Sequence, residues 1–106
     1  VYYENNNQMK TYHIKGRVWR WPGEMGWHFL SVDKKLTEEL KKTGKKYIYG
    51  SGFIGIKAKI GKTEWETALF PYSKEGIYLL SIKGAVRKKE EILEGDTILA
   101  SFTFRK

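Results

Sequence analysis

Apolar and polar residues alternate from Lys10 to Trp21. Tyr12, Ile14, Gly16 and Val18 share one face, and His13, Lys15, Arg17, Trp19 and Trp21 share the other. Period-two alternation predicts a β-strand with one buried face. Pro22-Gly23-Glu24-Met25-Gly26 is a turn cluster, and Trp27–Val32 reads as a second strand. Asp33 suits the N-cap of a short helix. In that helix Leu36 and Leu40 fall on one face, and Gly44 is placed to end it at C′. Lys45–Gly52 reads as a loop. Phe53–Ile60 and Thr63–Phe70 then flank Gly61-Lys62, a two-residue loop with glycine first, as a type II′ hairpin turn requires. Pairing outward from that turn sets Lys59 opposite Glu64 and Lys57 opposite Glu66. The other face holds Ile54, Ile56, Ala58, Trp65, Thr67 and Leu69, so the register sorts charge from apolar residues. Pro71–Gly76 is a further turn, Ile77–Ile82 a strand, Gly84–Ile92 holds a short helix, and Thr97–Phe104 alternates as a last strand.

The chain repeats itself. Gly26-Trp27-His28-Phe29-Leu30-Ser31-Val32 aligns with Gly76-Ile77-Tyr78-Leu79-Leu80-Ser81-Ile82 at an offset of 50. Each half reads strand, turn, strand, short helix and a further strand. Two such halves predict a closed barrel with a pseudo-twofold axis, because closure removes the sheet edges that each half alone would expose. One detail resists a constant offset. The apolar strand face uses even numbers in the first half (Ile14, Val18) and odd numbers in the second (Trp65, Leu69). Either a bulge shifts the register by one, or Trp19 points inward in place of Val18.

A length of 106 residues sets the scale of one domain, read here as a barrel over residues 10–106. Residues 1–9, with a triple Asn and no period, read as a disordered tail, with Met9 as a natural start. Four Trp, seven Tyr and five Phe within a 41% hydrophobic chain argue against disorder elsewhere. No apolar run approaches the roughly 18 residues of a membrane helix, and no signal peptide is read at the start. The expectation is a cytoplasmic protein without membrane contact. There is no cysteine, so a disulfide frame, a thiolate nucleophile and a cysteine zinc site are excluded.

The stretch Val18-Trp19-Arg20-Trp21-Pro22-Gly23, Gly26-Trp27-His28-Phe29, Leu69-Phe70-Pro71, Gly76–Lys83, Val86-Arg87 and Gly95-Asp96 resembles the domain-of-unknown-function 1905 family from Tyr12 to Phe104. The resemblance implies a mainly β fold, a single-chain pseudo-twofold split barrel of the cradle-loop kind with two short helices. It implies no activity. More weakly, Ile82-Lys83-Gly84-Ala85-Val86-Arg87 with Gly95-Asp96-Thr97 is similar to the swapped-hairpin DNA-binding domains of transition-state regulators and antitoxins. Lys83 stands where those carry Pro, and their DNA-contacting residues do not map here. They build the barrel from two chains; this sequence would do so from one, so a monomer is expected rather than an obligate dimer. The shared pattern reads as structural, with Gly95 in a left-handed turn position and Asp96 paired with Arg87.

Catalytic chemistry is thin. The only histidines are His13 and His28, and the only aspartates are Asp33 and Asp96. No His-x-x-x-His pair, nucleophile elbow or phosphate loop is present. Gly50-Ser51-Gly52 precedes a strand rather than the helix N-terminus that would bind phosphate. Glu64 and Glu66 face lysines and read as a solvated surface. No catalytic residue, metal ligand or cofactor is assigned, and an enzyme is disfavoured.

Charge changes the picture. Twenty Lys+Arg against twelve Asp+Glu leave +8, a balance that attracts polyanions. Arg17-Val18-Trp19-Arg20-Trp21 is a basic–aromatic string, and Lys45 and Lys46 lie in a lysine cluster after the first helix. The leading expectation is a non-enzymatic binding domain that contacts nucleic-acid backbone without base specificity and in a salt-sensitive way. Arg17, Arg20, Lys45 and Lys46 would act electrostatically, and Trp19 and Trp21 would stack if they face outward. The alternative is a small-ligand barrel in which the two Pro-containing turns, with Trp27, His28 and Tyr78 nearby, rim an aromatic pocket. A protein-interaction module acting through exposed aromatics is a third.

Overall fold

The alternating pattern becomes strands almost residue for residue. The computed structural model describes residues 10–105; the expected tail, residues 1–9, lies outside the described residues. Eight strands share one sheet: β1 (Tyr12–Arg17), β2 (Trp19–Arg20), β3 (His28–Val32), β4 (Ile48–Tyr49), β5 (Phe53–Ile60), β6 (Thr63–Tyr72), β7 (Ile77–Ser81) and β8 (Thr97–Phe104). Two α-helices, α1 (Lys34–Thr43) and α2 (Gly84–Glu90), follow β3 and β7. The pairing order is β1-β8-β5-β6-β7-β3-β2, with β4 added on β5, and every pairing is antiparallel.

β1 and β2 stand at opposite ends of that order, yet only Val18 separates them in the chain. This makes the sheet a nearly closed barrel. The Val18 N–H donates to the Asp96 carbonyl, and its own carbonyl accepts from the Gly95 N–H, each at 2.8 Å. One residue later the chain has left β8, and Trp19 pairs with Phe29 of β3. Gly16 permits the close approach that closure needs, since a Cβ there would sit 3.2 Å from the Leu30 side chain. Tyr12, Ile14 and Val18 face the core with Leu30, Ile54, Ile56, Leu69, Leu80 and Phe102.

The repeat is geometric as well as sequential. Leu30 pairs with Leu80, its own equivalent, so the pseudo-twofold axis passes between β3 and β7. The parity conflict resolves without moving Trp19 into the core. Val18 is buried and the alternation continues through it. The first hairpin turn, Pro22–Gly26 between the paired Trp21 and Trp27, is one residue longer than Ser73–Gly76 between Tyr72 and Ile77. The strands before the turns are therefore related by 51 residues while those after them are related by 50.

Several local expectations hold. The β5–β6 register sets Lys57 opposite Glu66 and Lys59 opposite Glu64. Gly61 has φ 58°, and Lys62 does not share its positive φ, as a type II′ turn requires. The ion pair itself is diagonal, Lys57 to Glu64 at 3.5 Å. Asp33 caps α1 by accepting from the Leu36 N–H at 2.7 Å, and Gly95 has φ 93°.

Others are corrected. Lys45–Gly52 is not all loop: it holds a 3-10 turn, Lys45–Tyr47, and then β4. Arg87 does not pair with Asp96. Its Nε donates to the Ile82 carbonyl, and Asp96 accepts from the Leu93 N–H, so each group is held by its own local backbone. Gly44 ends α1 with φ −102°, outside the left-handed region. Its missing side chain serves proximity instead, because a Cβ there would lie 2.7 Å from the Phe104 ring and 2.9 Å from the Leu40 carbonyl.

Gly44→Ala should therefore destabilise the fold by about 1–3 kcal/mol through overpacking. The penalty should shrink in a Phe104→Leu background. Urea unfolding of the double-mutant cycle measures it, and equal penalties in both backgrounds would contradict the contact.

Candidate functional site

Alternation sends odd-numbered residues of β1, β2 and β3 outward. Arg17, Trp19 and Trp21 thus share the outer face of the strand run, and Phe29 and Ser31 join them from β3. The one-residue difference between the hairpins brings even-numbered Phe70 and Tyr72 of β6 to the same side. Under the twofold, Trp19 matches Phe70, Trp21 matches Tyr72 and Phe29 matches Leu79. Phe29 and Leu79 are buried, yet neither belongs to the barrel core; their neighbours on the outer face cover them.

The rings form a connected layer. Trp19 lies 5.3 Å from Phe29 and 5.8 Å from Trp21, centroid to centroid. Trp27 stacks on Phe29 at 6.1 Å with an interplanar angle of 11°. Phe70 touches both Phe29 and Trp27, and Tyr72 closes on Trp21 at 5.7 Å. Trp19 Nε1 donates to Ser31 Oγ at 3.0 Å, which fixes that indole. A cavity of about 260 Å³ opens between Trp21 and Trp27, with Phe29, Phe70 and Leu79 beneath and Pro71 and Tyr72 beside them. Trp21 and Trp27 remain 41% and 42% exposed at its rim. No charged side chain lines it.

The expected cationic residues are distributed around this layer. Arg17 is exposed two positions before Trp19 on the same face. Arg20 is exposed on the other side of β2, and its Nη2 donates to the Gly23 carbonyl at 2.9 Å, so it braces the turn. Lys45 and Lys46 are exposed in the 3-10 turn, outside the lining of the Trp cleft. Lys46 lies over the Tyr47 ring, which stacks on Phe104; two residues on, Tyr49 touches Phe53 at 5.9 Å, and Phe53 touches Phe70 at 5.5 Å.

The structure does not bring Trp27, His28 and Tyr78 together. Adjacent strand residues point to opposite faces, so Trp27 lines the outer cavity while His28 turns away. His28 Nδ1 lies 2.6 Å from the Gly26 carbonyl. Tyr78 is in the core, where its hydroxyl donates to the Gly52 carbonyl at 3.0 Å and its N–H to Thr37 Oγ1 at 3.1 Å. Phe29, Phe70 and Leu79 were not among the expected site residues, whereas Tyr72 lies in the Pro71–Gly76 turn expected on a pocket rim. Their signal lay in the hairpin-turn lengths, which move Phe70 and Tyr72 onto the face of Trp19 and Trp21.

A family model described as "Domain of unknown function (DUF1905)" matches residues 15–101. The chain belongs to the DUF1905 family. The matched span runs from Lys15 to Ser101 and so includes Trp21, Trp27 and the whole floor of the cavity. No curated protein matches this DUF1905 chain. Among the described residues there is no cluster of three or more potential metal ligands, and no helix is long and apolar enough to cross a membrane.

Burial pushes the Tyr78 phenol above its ordinary ionisation range. Above about pH 10 the unfolded chain releases that proton while the folded chain keeps it. The folded state then binds more protons, so the contribution is complete below that pH and is lost as pH rises. Tyr78→Phe should cost about 1–2 kcal/mol near neutrality, leaving the Gly52 carbonyl unpaired. It should also flatten the fall in stability above pH 10, read from urea midpoints against pH; an unchanged slope would refute the assignment.

Proposed function

We propose that this DUF1905 domain is a non-enzymatic module that binds single-stranded nucleic acid on its outer aromatic face. The observation that carries the reading is the rim formed by Trp21 and Trp27. Two half-exposed indoles flank an open apolar cleft on the same face as Arg17. Unpaired bases have free π-faces that stack on indoles whatever their sequence, whereas duplex bases are stacked already. The net charge of +8 adds long-range attraction for phosphate, and Arg17, Lys45 and Lys46 are exposed to meet it. Arg20 serves the hairpin first and the ligand second.

Size weighs between this reading and the small-ligand one. Sites that enclose a small molecule usually run to roughly 300–1,000 Å³. The Trp cleft is smaller, about 260 Å³, and open. It suits one flat ring held against a surface, as a base in a strand is held, better than a molecule enclosed on all sides. Its lining side chains carry few polar groups, the Tyr72 hydroxyl and the indole N–H groups of Trp21 and Trp27, which favours tolerance over base-specific reading.

Tryptophan fluorescence titrated with a single-stranded oligonucleotide tests this. Trp21→Ala and Trp27→Ala should each weaken binding by about 5- to 150-fold, the range of a lost base–aromatic stack. If three phosphates are neutralised, affinity should fall about twentyfold between 50 and 200 mM salt. Absence of binding at the lower salt overturns the reading. Binding that survives both substitutions also overturns it.

A further inference from the structure

A second hollow, lined by two cations, lies away from the Trp cleft. A cavity of about 440 Å³ is lined by Lys46, Tyr47, Ile48, Tyr49, Gly55 and Arg105. Two of these residues are cations and none is a carboxylate. Among the described residues neither Lys46 nor Arg105 takes part in an ion pair.

Arg105 is built into the sheet. Its backbone N–H donates to the Gly55 carbonyl at 2.9 Å. Its Nη2 donates to the Thr67 carbonyl at 2.9 Å and its Nε to the Ile56 carbonyl at 3.4 Å. The guanidinium lies over Gly55, where a Cβ would come within 3.4 Å of Nη2. Two of its five N–H groups are thereby used on neutral acceptors, and three remain. The fork is fixed before any ligand arrives, which lowers the cost of a bidentate contact to an oxyanion. Of the other lining residues, Tyr47 stacks on Phe104 at 4.9 Å, and Lys46 Nζ lies 5.4 Å over the Tyr47 ring. Tyr49 is 51% exposed at the mouth.

We infer that this cavity is a binding site for a phosphomonoester carried on a flat ring, the chemistry of a nucleoside monophosphate. The phosphate is held by the Arg105 fork and the Lys46 ammonium, and the ring stacks on Tyr49. The volume is large for an anion alone and lies within the usual range of small-molecule sites. The inference goes beyond strand binding at the Trp cleft: the two cavities share no lining residue, and Lys46 alone, exposed to strand phosphate as well, is common to both readings. A free mononucleotide and the terminal phosphate of a strand present the same group, and the experiment separates them.

Amide and arginine Nε–H correlation spectra are recorded during titration with adenosine 5′-monophosphate, adenosine and inorganic phosphate at matched ionic strength. The monophosphate should give saturable shifts at Tyr49, Gly55 and the Arg105 side chain, phosphate weaker shifts at Gly55 and Arg105, and adenosine none there. Lys46→Gln should weaken the monophosphate by about tenfold, as loss of a charge-assisted bond predicts. Arg105→Lys, which keeps the charge and loses the fork, should weaken it as much, with thermal unfolding as the check on folding. Should Arg105→Lys fail to fold, Lys46→Gln decides alone. Equal shifts from adenosine, shifts scattered over the surface lysines, or no weakening in Lys46→Gln overturn the inference. In the Trp21→Ala/Trp27→Ala double variant the monophosphate shifts should persist while strand binding is lost. A 5′-phosphorylated oligonucleotide that still shifts Arg105 in that variant assigns the site to strand ends; one that does not assigns it to the free nucleotide.

Discussion

Everything in this fold depends on the exchange of partners at Val18. A run of alternating residues can satisfy its backbone groups on only one neighbour at a time along each edge. Here it satisfies them on β8 as far as the Asp96 and Gly95 contacts, then on β3 from Trp19 onward. Because the exchange takes one residue, the alternation is not broken. Val18 stays inside and Trp19 stays outside. A bulge at this point would have inverted every side chain beyond it, burying indoles where Leu30 now packs. Closure of the barrel and exposure of the aromatic face are therefore two results of the same hydrogen-bond exchange.

The twofold adds the second layer. β2, β3, β7 and β6 lie side by side in the sheet order, and both halves send aromatic or branched residues to the outer face. A single half would present an indole pair with little beneath it. Together the halves bury Phe29 and Leu79 under the rim and leave Trp21 and Trp27 half in solvent. This is a rigid apolar platform whose support comes from repeat-related strands.

Much of the architecture was legible in the residues. The β5–β6 register followed from Gly61-Lys62 and the Lys/Glu pattern, and the cap at Asp33 and the last strand were as read. The Leu30–Leu80 pairing is what an offset of 50 requires of a twofold. What could not be read concerned distances between segments remote in sequence. Gly44 looked like a left-handed helix end, and only the position of the Phe104 ring shows that it is a spacer. Arg105 carried no sequence signal at all, since its meaning comes from Gly55, Ile56 and Thr67 on two other strands. Tyr78 and Trp27 looked like neighbours on one pocket until strand parity put the sheet between them.

The pairing of β1 with β8 also has a consequence in time. Among the described strands these are the earliest and the latest to leave the ribosome. The intervening hairpins and helices can form by local contacts as they emerge, but β1 has no partner until β8 is made. Its apolar face, with Tyr12, Ile14 and Val18, can meet β3 and α1 early, but its backbone edge waits unpaired through nearly the whole of synthesis. Long-range pairings of this kind slow folding and expose strand edges to wrong partners. The polar character of its other face, His13, Lys15 and Arg17, is the one protection the waiting strand has, since charge on an unpaired edge discourages association with other chains.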